Sequence, residues 1–555
     1  MLDGVTPFPP EFAARYRDRG YWQDRSLASA FAEVCAAHPD RLALVDGEHR
    51  ATFAELDTRS TALAANLLDL GLRPRDRIVV QLTNTEMFGY LYLALQKIGV
   101  IPILALPSHR AREVDQFVDI GQAVACAAPA RRRGLDYVDM LRRVSQRQPG
   151  LRLSLIQGAT DTPMPDGFVA LEDLLERRPA GGADPSVDPV AGTLAGITVD
   201  PDDPAVFQLS GGTAGVPRLI PRSHNDYLYN SRMAASVCDV RETDVLLAVL
   251  PVGHNLPLAC PGLQGFWLSG ATVVMCPSTA SADVLALLAR HRVTHLQAVP
   301  ALIARWVNDP AAAEHDLGSV RVVQSGGQRL DPDLRTRAER VLPSATVQET
   351  FCMAEGLLMF TRLDDDEQVR QQTSGRPVCP DDEIRLVDAD DNDVPPGDVG
   401  ELVVRGPCTP RGYFRAPEHN ARAFTADGFY RSGDLLRLHP SGNYVVEGRK
   451  KELINRGGEK INAAEIEDLL LTHPDVRDVA CVPVPDQVLG ERMCACVAAV
   501  PGRSMDLGRL VSFLASFEIA SHKLPERVEM FDALPRSASG RIDRPELARL
   551  LARRR

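Results

Sequence analysis

The chain has 555 residues, too many for one hydrophobic core, so two or more domains are expected. Apolar residues at 45% and charged residues at 25% are an ordinary globular composition, and a net charge of -12 argues against nucleic-acid or anionic-membrane partners. Its 11 cysteines form no paired C-x-x-C set, so reduced thiols and a cytoplasmic setting are expected rather than a disulfide framework or a zinc site.

The opening MLDGVTPFPPEF lacks a basic segment followed by an apolar one, so no secretory leader is expected. Thr52 and Glu55 form a capping box that opens an amphipathic helix over 52–70, stopped by Gly71. An apolar run at 78–82, a helix over 86–98 and a strand over 100–105 follow with short joints, the pattern of a parallel α/β sheet. The most apolar span, 87–107, contains Gln96, Lys97 and Pro102; it reads as helix, turn and buried strand rather than a membrane helix. Residues 177–204 shift to Pro, Gly, Ala and Asp, a surface connection.

A strand over 205–209 then feeds the loop Ser210, Gly211, Gly212, Thr213, Ala214, Gly215, Val216, Pro217 and Arg218. The glycines allow close backbone approach, the hydroxyls can donate, and an arginine lies at the far end, chemistry that suits a polyphosphate. It is not the nucleotide loop that ends Gly-Lys-Ser/Thr before a helix. A strand over 293–299, a helix over 301–308 and a strand over 320–324 lead to Ser325, Gly326 and Gly327. Glycines directly after a strand mark the carboxyl end of a parallel sheet, where such sheets bind ligands. From Glu383 short alternating runs with turns describe a β-rich subdomain. A boundary at Lys451 separates residues 1–450 from 451–555. In the second part a helix over 463–472, strands over 476–484 and 494–500 and a helix over 507–515 make a small α+β domain.

LSGGTAGVPR (209–218), FCMAEG (351–356), YRSGDL (430–435), GRKKELINRGGEKINAAEIE (448–467) and LPRSASGRIDR (534–544) occur in the order and spacing of the adenylate-forming superfamily. That group contains acyl- and aryl-CoA synthetases, nonribosomal peptide synthetase adenylation domains and luciferases. The segments 8–24, 222–230 (RSHNDYLYN) and 254–262 (HNLPLACPG) most resemble the stand-alone 2,3-dihydroxybenzoate- and salicylate-AMP ligases of siderophore pathways. The resemblance implies a large α/β N-terminal domain and a small mobile C-terminal domain, in a monomer or homodimer. It implies that an aryl carboxylate attacks the α-phosphorus of ATP with Mg²⁺. A phosphopantetheine thiol of an aryl carrier protein, or of CoA, then attacks the aryl adenylate and takes the aroyl group, releasing AMP.

Carried over residue by residue, the resemblance gives the ATP side to Ser210, Gly211, Gly212, Thr213, Gly215 and Arg218. It gives the magnesium to Glu355 and the adenine side to Gly326, Gly327, Gln328 and Phe351. Asp434 and Arg449 fall to the ribose and phosphate. Lys451 falls at the hinge, Gly457, Gly458 and Lys460 on the thiol side, and His254 and Thr350 beside the acid, with His254 among the catalytic residues. Two departures stand out. The glycine loop ends in Arg218 where the family usually has lysine, and the near-terminal catalytic lysine is Arg541, which keeps the charge but is bulkier. Arg541 therefore leaves open an adenylation-impaired homologue that only binds.

In the acid pocket, Asn255 stands where amino-acid-activating enzymes carry an acidic residue. A lone buried carboxylate without a cation is costly, so an amide implies an acid lacking an α-ammonium group. Cys260 matches salicylate enzymes, where dihydroxybenzoate enzymes carry serine, and thiols are weak donors for a 3-hydroxyl. Leu358, in place of valine, adds bulk on the same side, and both point to salicylate. Leu256 in place of an aromatic, Cys352 in place of glycine and Met359 in place of asparagine reshape the wall and leave an anthranilate-type acid open.

Overall fold

The structure is a computed structural model that describes residues 1–158, 164–177, 194, 196–210, 217–327, 329–449, 453–536 and 542–553. Gly211, Gly212, Thr213, Gly215, Gln328, Lys451 and Arg541 lie outside the described residues, and Arg449 is described by its backbone alone.

Alternating strands and helices build two large, mainly parallel sheets. A seven-stranded sheet runs in the order Leu219–Ser223, Pro204–Leu209, Ile101–Leu104, Arg77–Val80, Ala125–Pro129, Leu153–Gln157 and Phe168–Ala170. A nine-stranded sheet centres on Thr346–Cys352, Val322–Gly326, His295–Ala298, Val245–Ala248 and Thr272–Met275, all mutually parallel, and has antiparallel edges. Helix Phe53–Asp69 starts as expected: Thr52 accepts from the Glu55 N–H while the Glu55 carboxylate accepts from the Thr52 N–H.

Helix Glu86–Lys97 buries every residue from Met87 to Gln96 because it is sandwiched between the sheets. It packs with Leu44 and Met275 of one and Val80 and Leu104 of the other in the largest core cluster. Each large side chain buried there contributes about 1.5–3 kcal/mol. The chain leaves this helix into strand Ile101–Leu104, and among the described residues no helix is long and apolar enough to cross a membrane.

Beyond the nine-stranded sheet, Glu383–Val387, Gly400–Arg405, Tyr430–Leu438 and Tyr444–Arg449 form the expected β-rich element, a four-stranded antiparallel sheet. A last sheet combines the hairpin Leu453–Arg456 and Glu459–Asn462 with Gly490–Ala499, Val476–Asp486 and Arg527–Met530. One of its faces buries Val479, Cys481, Met493, Ala495 and Val497 with Ile466 and Leu510 of helices Ala463–Leu470 and Leu507–Ala515. The other buries Ala480, Val482, Cys494 and Cys496 beneath Leu547 and Leu551 of helix Arg544–Arg553. Both strands are covered on both faces, which is why they read as continuous apolar runs. The cysteines at 494 and 496 share a face because strand side chains alternate, and both thiols are free.

Candidate active site

Strand Val322–Gly326 pairs in parallel with Thr346–Cys352, setting Gly326 opposite Thr350 at their carboxyl ends. The Thr350 hydroxyl donates to the Ser325 carbonyl at 2.9 Å. A Cβ on Gly326 would lie 2.7 Å from Thr350 Oγ1 and 3.1 Å from Leu256, so only glycine lets the helix Asn255–Ala259 close on this strand end. Phe351 is half-buried against the cluster that holds Tyr413 and Tyr430.

Glu355 sits in the turn between Thr346–Cys352 and Leu358–Phe360 rather than at a helix end. Its Oε1 accepts from the Tyr413 hydroxyl at 2.7 Å, and Tyr413 and Tyr430 meet oxygen to oxygen at 2.9 Å. Burial holds both phenols well above their ordinary range, with the Glu355 carboxylate adding to the shift. Ser210 and Arg218 close the stem of the glycine loop: Ser210 N–H donates to the Arg218 carbonyl at 3.0 Å and Ser210 Oγ accepts from Arg218 N–H at 3.1 Å. Burial lowers the Arg218 guanidinium, partly offset by the phenol of Tyr413, so the loop stem and Glu355 share one neighbourhood. Asp434 is buried and lies directly across the strand pair from Arg449.

The candidate acid pocket hangs on helix His224–Val237. Its capping box joins Ser223 and Asp226. Arg222 is wholly buried and donates to Asp226 Oδ1 at 2.8 Å, Asn230 Oδ1 at 3.1 Å and the Ala354 carbonyl at 3.1 Å. Asn230 in turn donates to the Ala259 carbonyl at 2.7 Å and reaches Cys260 Sγ at 3.7 Å. One charged fork thus ties the Glu355 turn to the helix and, through Asn230, to the Cys260 segment. Cys260 and Leu358 are buried in one apolar cluster with Leu256 and Cys352 packed against it. Burial pushes the Cys352 thiol far up, and Cys260 beside it adds to the shift, so this wall is neutral. Asn255 Oδ1 accepts from the Tyr227 hydroxyl at 2.9 Å, and that hydroxyl accepts from Gln208 Nε2 at 3.0 Å.

His254 caps the start of helix Asn255–Ala259 and meets the C-terminal sheet, with Nε2 3.2 Å from Glu459 Oε1. Desolvation lowers the imidazole, but the Glu459 carboxylate outweighs it and the net shift is upward; Lys460 opposes. Burial raises Glu459, yet His254 and the farther His522 and His109 bring it down to about 2. Gly457 and Gly458 form the turn of the hairpin at φ of +58° and +93°. A Cβ on Gly327 would lie 3.5 Å from Gly458, and Asn455 Nδ2 donates to the Gly327 carbonyl at 2.8 Å. The hairpin therefore reaches the strand-end glycine itself.

The chain matches the AMP-binding enzyme family over residues 31–414 and the C-terminal domain of AMP-binding enzymes over 465–541. It is 45% identical to a salicylyl-CoA synthase / salicylate adenylyltransferase of Streptomyces sp, across 98% of this chain and 97% of that protein. It is 40% identical to the 2,3-dihydroxybenzoate-AMP ligase of Bacillus subtilis, across 99% and 97%. The apo structure of Mycobacterium smegmatis MbtA superposes with a TM-score of 0.73 at 39% identity, across 98% of each chain. The chain belongs to the AMP-binding enzyme family.

As an AMP-binding enzyme it is an adenylate-forming ligase, with the mixed α/β architecture its motifs imply. Sequence reasoning missed several residues at this site of the AMP-binding enzyme. Tyr413 and Tyr430 carry no local signal linking them to Glu355. Arg222 and Asp226, spaced i and i+4, look like a solvated helix pair. Gln208, Tyr227 and Glu459 reach the site only through tertiary contact.

Proposed function

We propose that the chain activates a 2-hydroxybenzoate-type acid, salicylate before 2,3-dihydroxybenzoate, and passes it to a phosphopantetheine thiol, in siderophore or related natural-product biosynthesis. The observation that carries this reading is the pocket wall: a neutral amide at Asn255 next to the apolar set Leu256, Cys260, Cys352 and Leu358, where a substrate ammonium group would be costly to bury. Salicylate is also the acid in the Streptomyces relative's name.

In this reading the glycine loop and Arg218 hold the departing pyrophosphate, because phosphoryl transfer depends on positioned positive charge and backbone donors. Among the described residues no cluster of three acidic, histidine or cysteine side chains could hold a metal. Magnesium would bind Glu355 together with phosphate oxygens, a hard-donor set that suits it. When bound, it neutralises charge developing on the phosphates. Tyr413 fixes the rotamer of Glu355 toward that role. Asp434 accepts from the ribose with Arg449 nearby, Gly326, Gly327, Gln328 and Phe351 border the adenine, and Arg541 bridges carboxylate and α-phosphate.

Residues 451–555 act as a mobile domain hinged at Lys451. The approach of Gly458 and Asn455 to Gly327, and of Glu459 to His254, supports assigning the arrangement seen here to the thiol-transfer half-reaction. The acceptor is an aryl carrier protein, with CoA the alternative, and Lys460 lies on that side. The test is ATP–pyrophosphate exchange across substituted benzoic acids. Salicylate is expected to exceed 2,3-dihydroxybenzoate in kcat/KM by roughly tenfold, a discrimination typical of one misfitted group. The reverse order overturns the reading. Loading assays with carrier protein and with CoA then decide the acceptor.

A further inference from the structure

We infer that Gln208 and Tyr227 fix the polarity of the Asn255 amide, so that the pocket offers a donor to the ortho substituent and disfavours 2-aminobenzoates. This rests on the reading above and narrows it.

Asn255 is nearly buried, so its amide has no water to satisfy whichever end is misplaced. Its Nδ2 faces the Met353 carbonyl at 3.4 Å, a group that can only accept. Turning the amide over would set two carbonyl oxygens against each other. The other end confirms the sense: Tyr227 has one hydroxyl proton, and it goes to Asn255 Oδ1 because the phenol oxygen already accepts from Gln208 Nε2. Tyr227 is held in place by the Arg222 guanidinium 4.8 Å from its ring centre. Burial raises its phenol, so it remains a protonated donor. Met353 accepts at one side and Tyr227 donates at the other, so the amide oxygen is engaged by Tyr227 and the spare N–H of Asn255 is the group this inference assigns to the ortho substituent.

The consequence is chemical. In salicylate the phenol proton points to the acid's own carboxylate, leaving an oxygen lone pair for the Asn255 N–H. In anthranilate one N–H makes that internal contact and the second meets the Asn255 N–H, donor against donor. An arylamine nitrogen, its lone pair delocalised into the ring, cannot accept in its place. A buried donor left unmatched is what makes such sites selective. Gln208 and Tyr227 act through Asn255 and are positioning residues.

The test measures ATP–pyrophosphate exchange with salicylate, anthranilate and benzoate on wild type, Tyr227→Phe and Gln208→Leu, with thermal midpoints as a check of folding. Wild type is expected to prefer salicylate over anthranilate by roughly tenfold to a hundredfold in kcat/KM. Tyr227→Phe frees the amide to turn, so the ratio is expected to fall toward one, mainly through KM. Gln208→Leu, which leaves the phenol oxygen able to accept from Asn255, is expected to lower it less. Benzoate, without an ortho group, provides the reference for general damage. A wild type that prefers anthranilate overturns the inference while leaving aryl-acid activation standing. So does a ratio unchanged in both variants, or equal losses on all three acids. A wild type that exchanges pyrophosphate with none of the acids overturns the underlying reading.

Discussion

A Cβ added to Gly356 would lie 1.9 Å from the Cys408 carbonyl oxygen, and the residue's φ of +117° is one that residues with side chains rarely adopt. The glycine lets the chain turn back immediately after Glu355, and the same turn puts the Met353 carbonyl where Asn255 and the Gly356 N–H both reach it. Gly356→Ala is therefore expected to destabilise by about 2–5 kcal/mol, the sum of backbone strain and overpacking. It should also depress adenylation, because Glu355 and Asn255 both depend on the turn. Gly150→Ala, whose Cβ would meet nothing within 4 Å, provides the comparison. Equal thermal midpoints for the two variants would show that the turn relaxes at little cost. At this scale the motif FCMAEG announces the glutamate, while the reason for the following glycine becomes visible only once Cys408 is beside it.

Helix His224–Val237 is the element that ties the acid pocket to the Glu355 turn. Arg222, just before it, donates to Asp226, Asn230 and Ala354 from a buried position, so losing the arginine leaves a buried carboxylate uncompensated. Arg222→Met is expected to cost about 3–5 kcal/mol, and Arg222→Lys to rescue little, because an ammonium cannot reproduce the fork. Thermal unfolding of the two variants checks this; near-wild-type stability of the lysine variant would reduce the fork to a simple charge.

Elements of this kind were legible unevenly. The capping box at Thr52, the helix at 507–515 and the strand–glycine junction at Gly326 follow from local rules and emerge within a few residues of expectation. Strand Gly490–Ala499 begins earlier than its apolar run because pairing with Val476–Asp486 continues through Glu491 and Arg492. The Tyr227–Asn255 and His254–Glu459 contacts span 28 and 205 residues, and no periodicity carries such information. The glycine-loop residues 211–216 and Arg541 were legible as motifs alone, since they fall outside the described residues.

At the scale of the whole molecule, the C-terminal sheet meets the rest of the chain through charge. Lys523 Nζ lies 2.8 Å from Glu465 on its own side and 3.2 Å from Glu113 across the contact, where Glu113 also accepts from the Ala520 N–H at 2.8 Å. Burial raises Glu113, but Lys523, His109 and the backbone donors bring it below its ordinary value, so this carboxylate stays ionised. His254, beside Glu459, is a further pH-sensitive group at this contact. Its value is raised in the assembled arrangement, so its attraction to Glu459 is fully present below about 6.5 and is lost as pH rises through the raised value. Glu459, brought down to about 2, sets no limit on the acid side in the working range. Buried His109, lowered to about 3, and His522, also lowered, act oppositely and weaken the contact as pH falls below about 6.5. The contact should therefore be strongest near neutrality. A free thiol gains thiolate as pH rises, so chemistry alone predicts a thiol-transfer rate that climbs through pH 8. If closure through His254 limits that step, the rate is expected instead to bend downward above neutrality, and His254→Gln should lose that alkaline limb while adenylation keeps its own profile. Single-turnover transfer from preformed aryl adenylate, measured between about pH 6 and 9 beside pyrophosphate exchange, separates the steps. An unchanged alkaline limb in the variant would assign it to another group and leave the His254–Glu459 pair a passive contact.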